Sequence, residues 1–101
     1  MYAKHRSYTL ARPAHRHVRL SVNPSGFLSV EIEEDNNKLD AEFENLCFEK
    51  HGKITELVCF EHCKPQKSRW HIYLSDNDAK ELNRLINDAK EEYEILMRDL
   101  C

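Results

Sequence analysis

The stretch HVRLSVNPSGFLSVEIEED (17–35) leaves the chain few choices. Val18, Leu20 and Val22 alternate with polar residues, and Leu28, Val30 and Ile32 do the same. A period of two is the mark of strands with one buried face. Between the two runs, NPSG suits a type I turn. Asn23 takes the first corner, Pro24 presets its own φ, and Gly26 accepts a left-handed backbone. Such a turn closes a three-residue bulged loop that pairs Val22 with Leu28, Leu20 with Val30 and Val18 with Ile32. All three pairs are apolar, so turn chemistry and hydrophobic pattern agree.

A second hairpin is expected around EKHG (49–52), which separates AEFENLCF from KITELVCF. If Gly52 closes another bulged loop, Phe48 pairs with Ile54. Leu46, Phe48, Ile54, Val58 and Phe60 then share one face. Residues 33–41 read as a polar connection. RWHIYL (69–74) supplies a fifth strand with Trp70, Ile72 and Leu74 on one side.

SDND (75–78) offers Ser75 as an N-cap with Asp78 three residues on. Ala79, Leu82, Ile86, Ala89, Tyr93, Leu96 and Leu100 then recur at alternating intervals of three and four, and Leu85 and Met97 widen the stripe. The expected fold is α+β: an antiparallel sheet of four to five strands packed by one long C-terminal amphipathic helix. The 101 residues read as one domain. A basic N-terminal arm covers 1–14, the sheet 15–74 and the helix 75–100. The expected core is Val18, Leu20, Val22, Leu28, Val30, Ile32, Phe48, Ile54, Val58, Phe60, Trp70, Ile72, Leu74, Leu82, Leu85, Ile86 and Ala89.

The helix would run about 37 Å, and five strands make a sheet only about 20 Å wide. Its last turns therefore overrun the sheet while still carrying Tyr93, Leu96, Met97 and Leu100 at core spacing. A sustained three-four repeat is what helix pairing needs, so these four residues are the expected protein-binding or dimer face, and a homodimer is the expected state.

Two segments mix Cys with His: CFEKH (47–51) and CFEHC (59–63). Cys59, His62 and Cys63 have spacing close to that of zinc ligands. In the bulged register, however, Cys47 lies across from Thr55 and Cys59 across from Phe43. The two thiols are then about 13 Å apart along the ladder, too far to share one ion. The expectation is therefore no metal, no cofactor and reduced cysteines that are simply part of strands. No glycine-rich phosphate loop, HExxH, GxSxG or paired catalytic acids are present, so an enzyme is not expected.

Charge is unevenly spread. All eighteen acids follow residue 30, whereas Lys4, Arg6, Arg12, Arg16 and Arg19 precede it, although the formal net charge is only −3. In the first hairpin Arg19 would face Glu31, His17 Glu33 and Arg16 Glu34, which is ordinary pairing on a solvent face. Tyr2, Lys4, Arg6, Tyr8 and Arg12 remain as a possible nucleic-acid arm. The order of elements, with NPSGFLSVEI and KSRWHIYL in a hairpin-then-strand rhythm, is similar to that of Pur-like and Whirly-like single-strand binders. The extra hairpin at 42–61 departs from that pattern.

The sequence thus points to a small non-catalytic protein-binding regulator, adaptor or inhibitor, with an acidic body suited to a basic partner. The alternative is single-stranded DNA or RNA binding through the arm and sheet. No apolar run approaches the length needed to span a bilayer, and the N-terminus lacks the apolar stretch of a secretory signal. No membrane association and a cytoplasmic location are expected.

Overall fold

The alternation in the first hairpin builds what it promises, and the sheet extends on both sides of it. The computed structural model describes residues 3–12, 15–61 and 64–100, with the backbone alone for 61, 64–67 and 96–100. Strands β1 (Lys4–Thr9), β2 (His17–Asn23), β3 (Phe27–Ile32) and β4 (Asn37–Glu42) form a four-stranded antiparallel sheet in sequence order. A 3₁₀ turn (Phe43–Asn45) leads into β5 (Leu46–His51), β6 (Ile54–Glu61) and β7 (Lys64–Ser75), a three-stranded antiparallel sheet. Helix α1 (Asp76–Leu100) completes an α+β fold.

The β2–β3 register pairs Val22 with Leu28, Leu20 with Val30 and Val18 with Ile32. Gly26 has φ 111°, and its amide donates to the carbonyl of Asn23 at 3.0 Å. The Asn23 side chain also accepts from the Ser25 amide at 2.9 Å, so the turn is held twice.

Several expectations need correcting. Among the described residues there are seven strands in two sheets, not four or five in one. Much of the expected arm is strand β1, with Tyr8 across from Val18 and Arg6 across from Leu20. The expected polar connection contains β4, where Leu39 pairs with Val30 and Ala41 with Leu28. Asn36 makes the tight β3–β4 return with φ 50°, a conformation Asn tolerates better than most residues.

The second hairpin closes differently from the first. His51 pairs with Ile54, leaving a two-residue turn of Gly52 and Lys53. Only Gly52, at φ 66°, has a positive φ there, as a type II′ turn requires. The change shifts pairing from even–even to even–odd and so exchanges the faces of β6. Phe48 meets Leu57, and Leu46 meets Cys59, which in turn meets Trp70. Leu57 and Cys59 are fully buried in the core, whereas Ile54 and Phe60 are only half-buried. Val58 is buried on the opposite face, outside the main core cluster, between Cys47 and His71. Glu56 goes to the outer face with it, so no carboxylate is forced into the core.

One apolar cluster joins both sheets and the helix. It includes Val18, Leu20, Leu28, Leu57, Ile72, Leu74, Ala79, Leu82, Leu85 and Ile86, and also Tyr8, Leu10, Ala41 and Phe43, which the sequence pattern left out. The indole of Trp70 donates to the carbonyl of Asp40 at 3.2 Å, tying β7 to β4. The amide of Ala11 donates to the carbonyl of Tyr73 at 2.9 Å, so the β1–β2 connection covers part of β7. Ser75 caps α1 by accepting from the Asp78 amide at 3.3 Å. The buried Thr55 hydroxyl donates to Asp76 at 2.7 Å and fixes the helix start against β6. Among the described residues, no helix is long and apolar enough to cross a membrane.

Candidate functional site

The helix stripe buries Ala79, Leu82, Leu85, Ile86 and Ala89, and then runs past the last covered position. Tyr93, next on that stripe, is 42 % exposed, and Ile95 is 55 % exposed. Leu96, Met97 and Leu100 continue the helix, but their side chains lie outside the described residues.

Beside Tyr93 is a surface groove of about 380 Å³, lined among others by Gly26, Phe27, Glu42, Phe43, Lys90 and Tyr93. Its floor and walls come from three elements. The amide of Phe43 donates to the carbonyl of Gly26 at 3.0 Å, which clips the 3₁₀ turn onto the first hairpin loop. Phe43 is buried there, while Phe27 is 46 % exposed. Phe27 occupies an outward position of β3, across from Asn23 and Glu42. Phe27 and Tyr93 thus line a trough of mixed polarity, with Ser25, Glu42, Glu44 and Lys90 also lining it and Glu91, Glu92 and Glu94 on the adjoining helix turn.

Phe27, Phe43 and Ile95 were not among the sequence-based site residues. The signal was present for two of them. Phe27 is an apolar residue on the polar phase of its strand, and Ile95 lies off the three-four stripe. Phe43 was hidden because it stands in a 3₁₀ turn with no periodicity of its own.

The basic residues are placed individually. Tyr8 is buried, and its hydroxyl donates to Oε1 of Glu81 at 2.6 Å. Burial, reinforced by that hydrogen bond and by the nearby negative charge, pushes the Tyr8 phenol well above its ordinary pKa. Arg6 brings Nε within 3.6 Å of the same Glu81 oxygen. The Arg12 guanidinium stacks 4.3 Å above the ring of Tyr73. Lys4 stands half-buried across from Val22. Tyr2 lies outside the described residues.

On the first hairpin the ion pairs fall further along β3 and its turn than simple cross-strand facing implies. Arg19 meets Glu33 at 2.6 Å, His17 meets Glu34 at 2.7 Å and Arg16 meets Asp35. Long side chains reach diagonally into the Glu33–Asn36 loop, which the ladder register alone does not describe. The His17 side chain, seconded by its backbone amide, holds the Glu34 carboxyl below the usual carboxylate range.

Of the cysteine and histidine candidates, Cys59 points into the core, and burial pushes its thiol up. That is the environment of an inert thiol. Cys47 is exposed and lies on the other face of the same sheet. The two thiols are kept apart by the sheet itself, not by distance along the ladder. His62 and Cys63 lie outside the described residues. Among the described residues, no buried side-chain nitrogen or oxygen lacks a hydrogen-bond partner. Comparison of the chain with protein-family models, curated proteins and solved structures returned no match.

Proposed function

We propose that the protein is a non-catalytic binding module, a small regulator, adaptor or inhibitor, that docks a partner polypeptide on the groove bounded by Phe27, Phe43 and Tyr93. The observation that carries this reading is the exposure of Phe27 and Tyr93 in one groove, at 46 and 42 %. Single exposed apolar residues are ordinary, but aromatics gathered beside a concave surface are the usual anchors of an interface. Glu42 and Glu44 line the groove against Lys90, and Glu91, Glu92 and Glu94 follow on the helix, a balance that favours a partner offering apolar anchors flanked by Lys or Arg. A second copy of this chain would bring the same glutamates against one another, so a basic partner is the preferred occupant over a homodimer.

A peptide-display screen against the full chain tests the reading. Selected ligands should combine apolar anchors with basic residues and lose at least about tenfold in affinity against Tyr93→Ser or Phe27→Ser. Ligands indifferent to both substitutions, or no selected ligand at all, would refute it. A concentration-dependent dimer that Tyr93→Ser dissolves would instead assign the face to self-association.

A further inference from the structure

The outer face of the three-stranded sheet carries a cluster that shares no residue with the groove. Glu49 lies directly across from Glu56 in the β5–β6 ladder. Two carboxylates in that relationship repel each other. Two imidazoles are laid against them. His51 Nε2 is 3.1 Å from Oε1 of Glu56 and 3.9 Å from Oε2 of Glu49. His71 Nδ1 is 2.8 Å from Oε2 of Glu56. The Glu56 side chain is only 15 % exposed, so each of its oxygens is held by a different histidine in a partly desolvated position.

Ligand atoms of Glu49, His51 and Glu56 all lie within 4.8 Å of one another. A tetrahedral zinc ion with arms of about 2.0–2.2 Å separates its ligand atoms by roughly 3.3–3.5 Å. The His51–Glu56 edge is already close to that length. Glu49 is nearly half exposed, and its Oε2, 3.9 Å from His51 Nε2, can close the remaining distance by adjusting its rotamer.

A second trio, His17, Glu33 and Glu34, also has its ligand atoms close together. There the carboxylates are already committed: Arg19 sits 2.6 Å from Glu33, and the His17 amide donates to Glu34 at 2.8 Å. Among the described residues, only histidines pair with Glu49 and Glu56. The first cluster therefore lacks the arginine that neutralises the second.

We propose that this face binds one divalent transition-metal ion of the zinc class through Glu49 Oε2, His51 Nε2 and Glu56 Oε1, with a fourth position left to water. The nitrogen and oxygen donor set suits zinc and its neighbours better than calcium or magnesium, which take oxygen ligands. His71 is a positioning residue, since its bond to the other Glu56 oxygen sets the angle at which that carboxylate meets the ion. All three ligands come from one hairpin, so the ion would clamp β5 to β6 across the Gly52 turn. Binding to the folded hairpin alone would add to stability.

Chelator-treated full chain titrated with Zn²⁺ by calorimetry should take up one ion per chain with a dissociation constant of about 10 µM or below. His51→Ala and Glu56→Gln should each weaken binding at least about tenfold, and His71→Ala by a smaller factor. His62→Ala and Cys63→Ser should leave it unchanged. Zn²⁺ should raise the melting temperature of the native chain and not that of His51→Ala, with circular dichroism showing that the variant is folded. Co²⁺ should give a visible spectrum without a thiolate charge-transfer band. The proposal is overturned by absence of saturable binding, by a thiolate band, or by an affinity that survives both His51→Ala and Glu56→Gln.

Discussion

The hydroxyl of Tyr8 donates a 2.6 Å hydrogen bond to Glu81, 73 residues further along the chain. With Arg6 3.6 Å from the same carboxylate oxygen, β1 is fastened to α1 by two side chains from one of its faces. A segment whose composition suggests a loose basic arm is thereby made the first strand of the larger sheet.

Replacing Tyr8 with Phe keeps the apolar ring and removes the donor. Glu81 is partly screened by solvent, its side chain being 39 % exposed, so the expected loss is about 1–2 kcal/mol in urea unfolding. Little change should be seen in the slope of the transition.

The same residue sets an alkaline limit. The folded state holds the Tyr8 proton more tightly than the unfolded state does. Its stabilisation is therefore complete below the unfolded tyrosine value of about 10 and declines as pH rises above it. Unfolding midpoints measured from pH 8 upward should fall beyond that point, and Tyr8→Phe should flatten the decline. An identical alkaline slope in the two proteins would show that another group is responsible.

The register of the second hairpin can be read from two alanine substitutions. Leu57 is fully buried, so Leu57→Ala should cost about 2–5 kcal/mol. Ile54→Ala, at a half-buried position beside the turn, should cost clearly less. The bulged register would reverse that order, because it turns Ile54 inward and Leu57 outward.

The two cysteines on opposite faces should react very differently. Cys47 is exposed and should be alkylated by iodoacetamide in the native protein. Cys59 is fully buried, with its thiol pushed up by desolvation, and should be modified only when the chain unfolds. Peptide mapping by mass spectrometry after timed quenching distinguishes them. Rapid native labelling of Cys59 would mean that the outer part of β6 opens without global unfolding.

The candidate sites show where sequence reading stops. Tyr93 could be singled out because helical periodicity extends beyond the length any small sheet can cover. The groove beside it could not, since Phe27 and Phe43 come from a hairpin and a 3₁₀ turn brought there by tertiary packing. The Glu49–His51–Glu56 cluster depends on the register of one turn. With Phe48 opposite Ile54, Glu56 would lie on the core face; with His51 opposite Ile54, it lies beside both histidines.

Sequence alone determined the first hairpin, the cap and span of the helix, and the α+β class. Each follows from local interactions: a turn whose residues have one comfortable conformation, and apolar spacings of two or of three to four. Tertiary structure alone decided that the N-terminal segment becomes a strand, that residues 37–42 do likewise, and that the sheet divides in two. It also decided that Gly52 closes a two-residue turn and not a bulged one. Those outcomes rest on contacts between distant residues, such as Tyr8 with Glu81, Trp70 with Asp40 and Leu57 with Ile72. Gly permits more than one turn, so burial of Leu57 and Cys59, with Glu56 placed on the outer face between His51 and His71, selects the register.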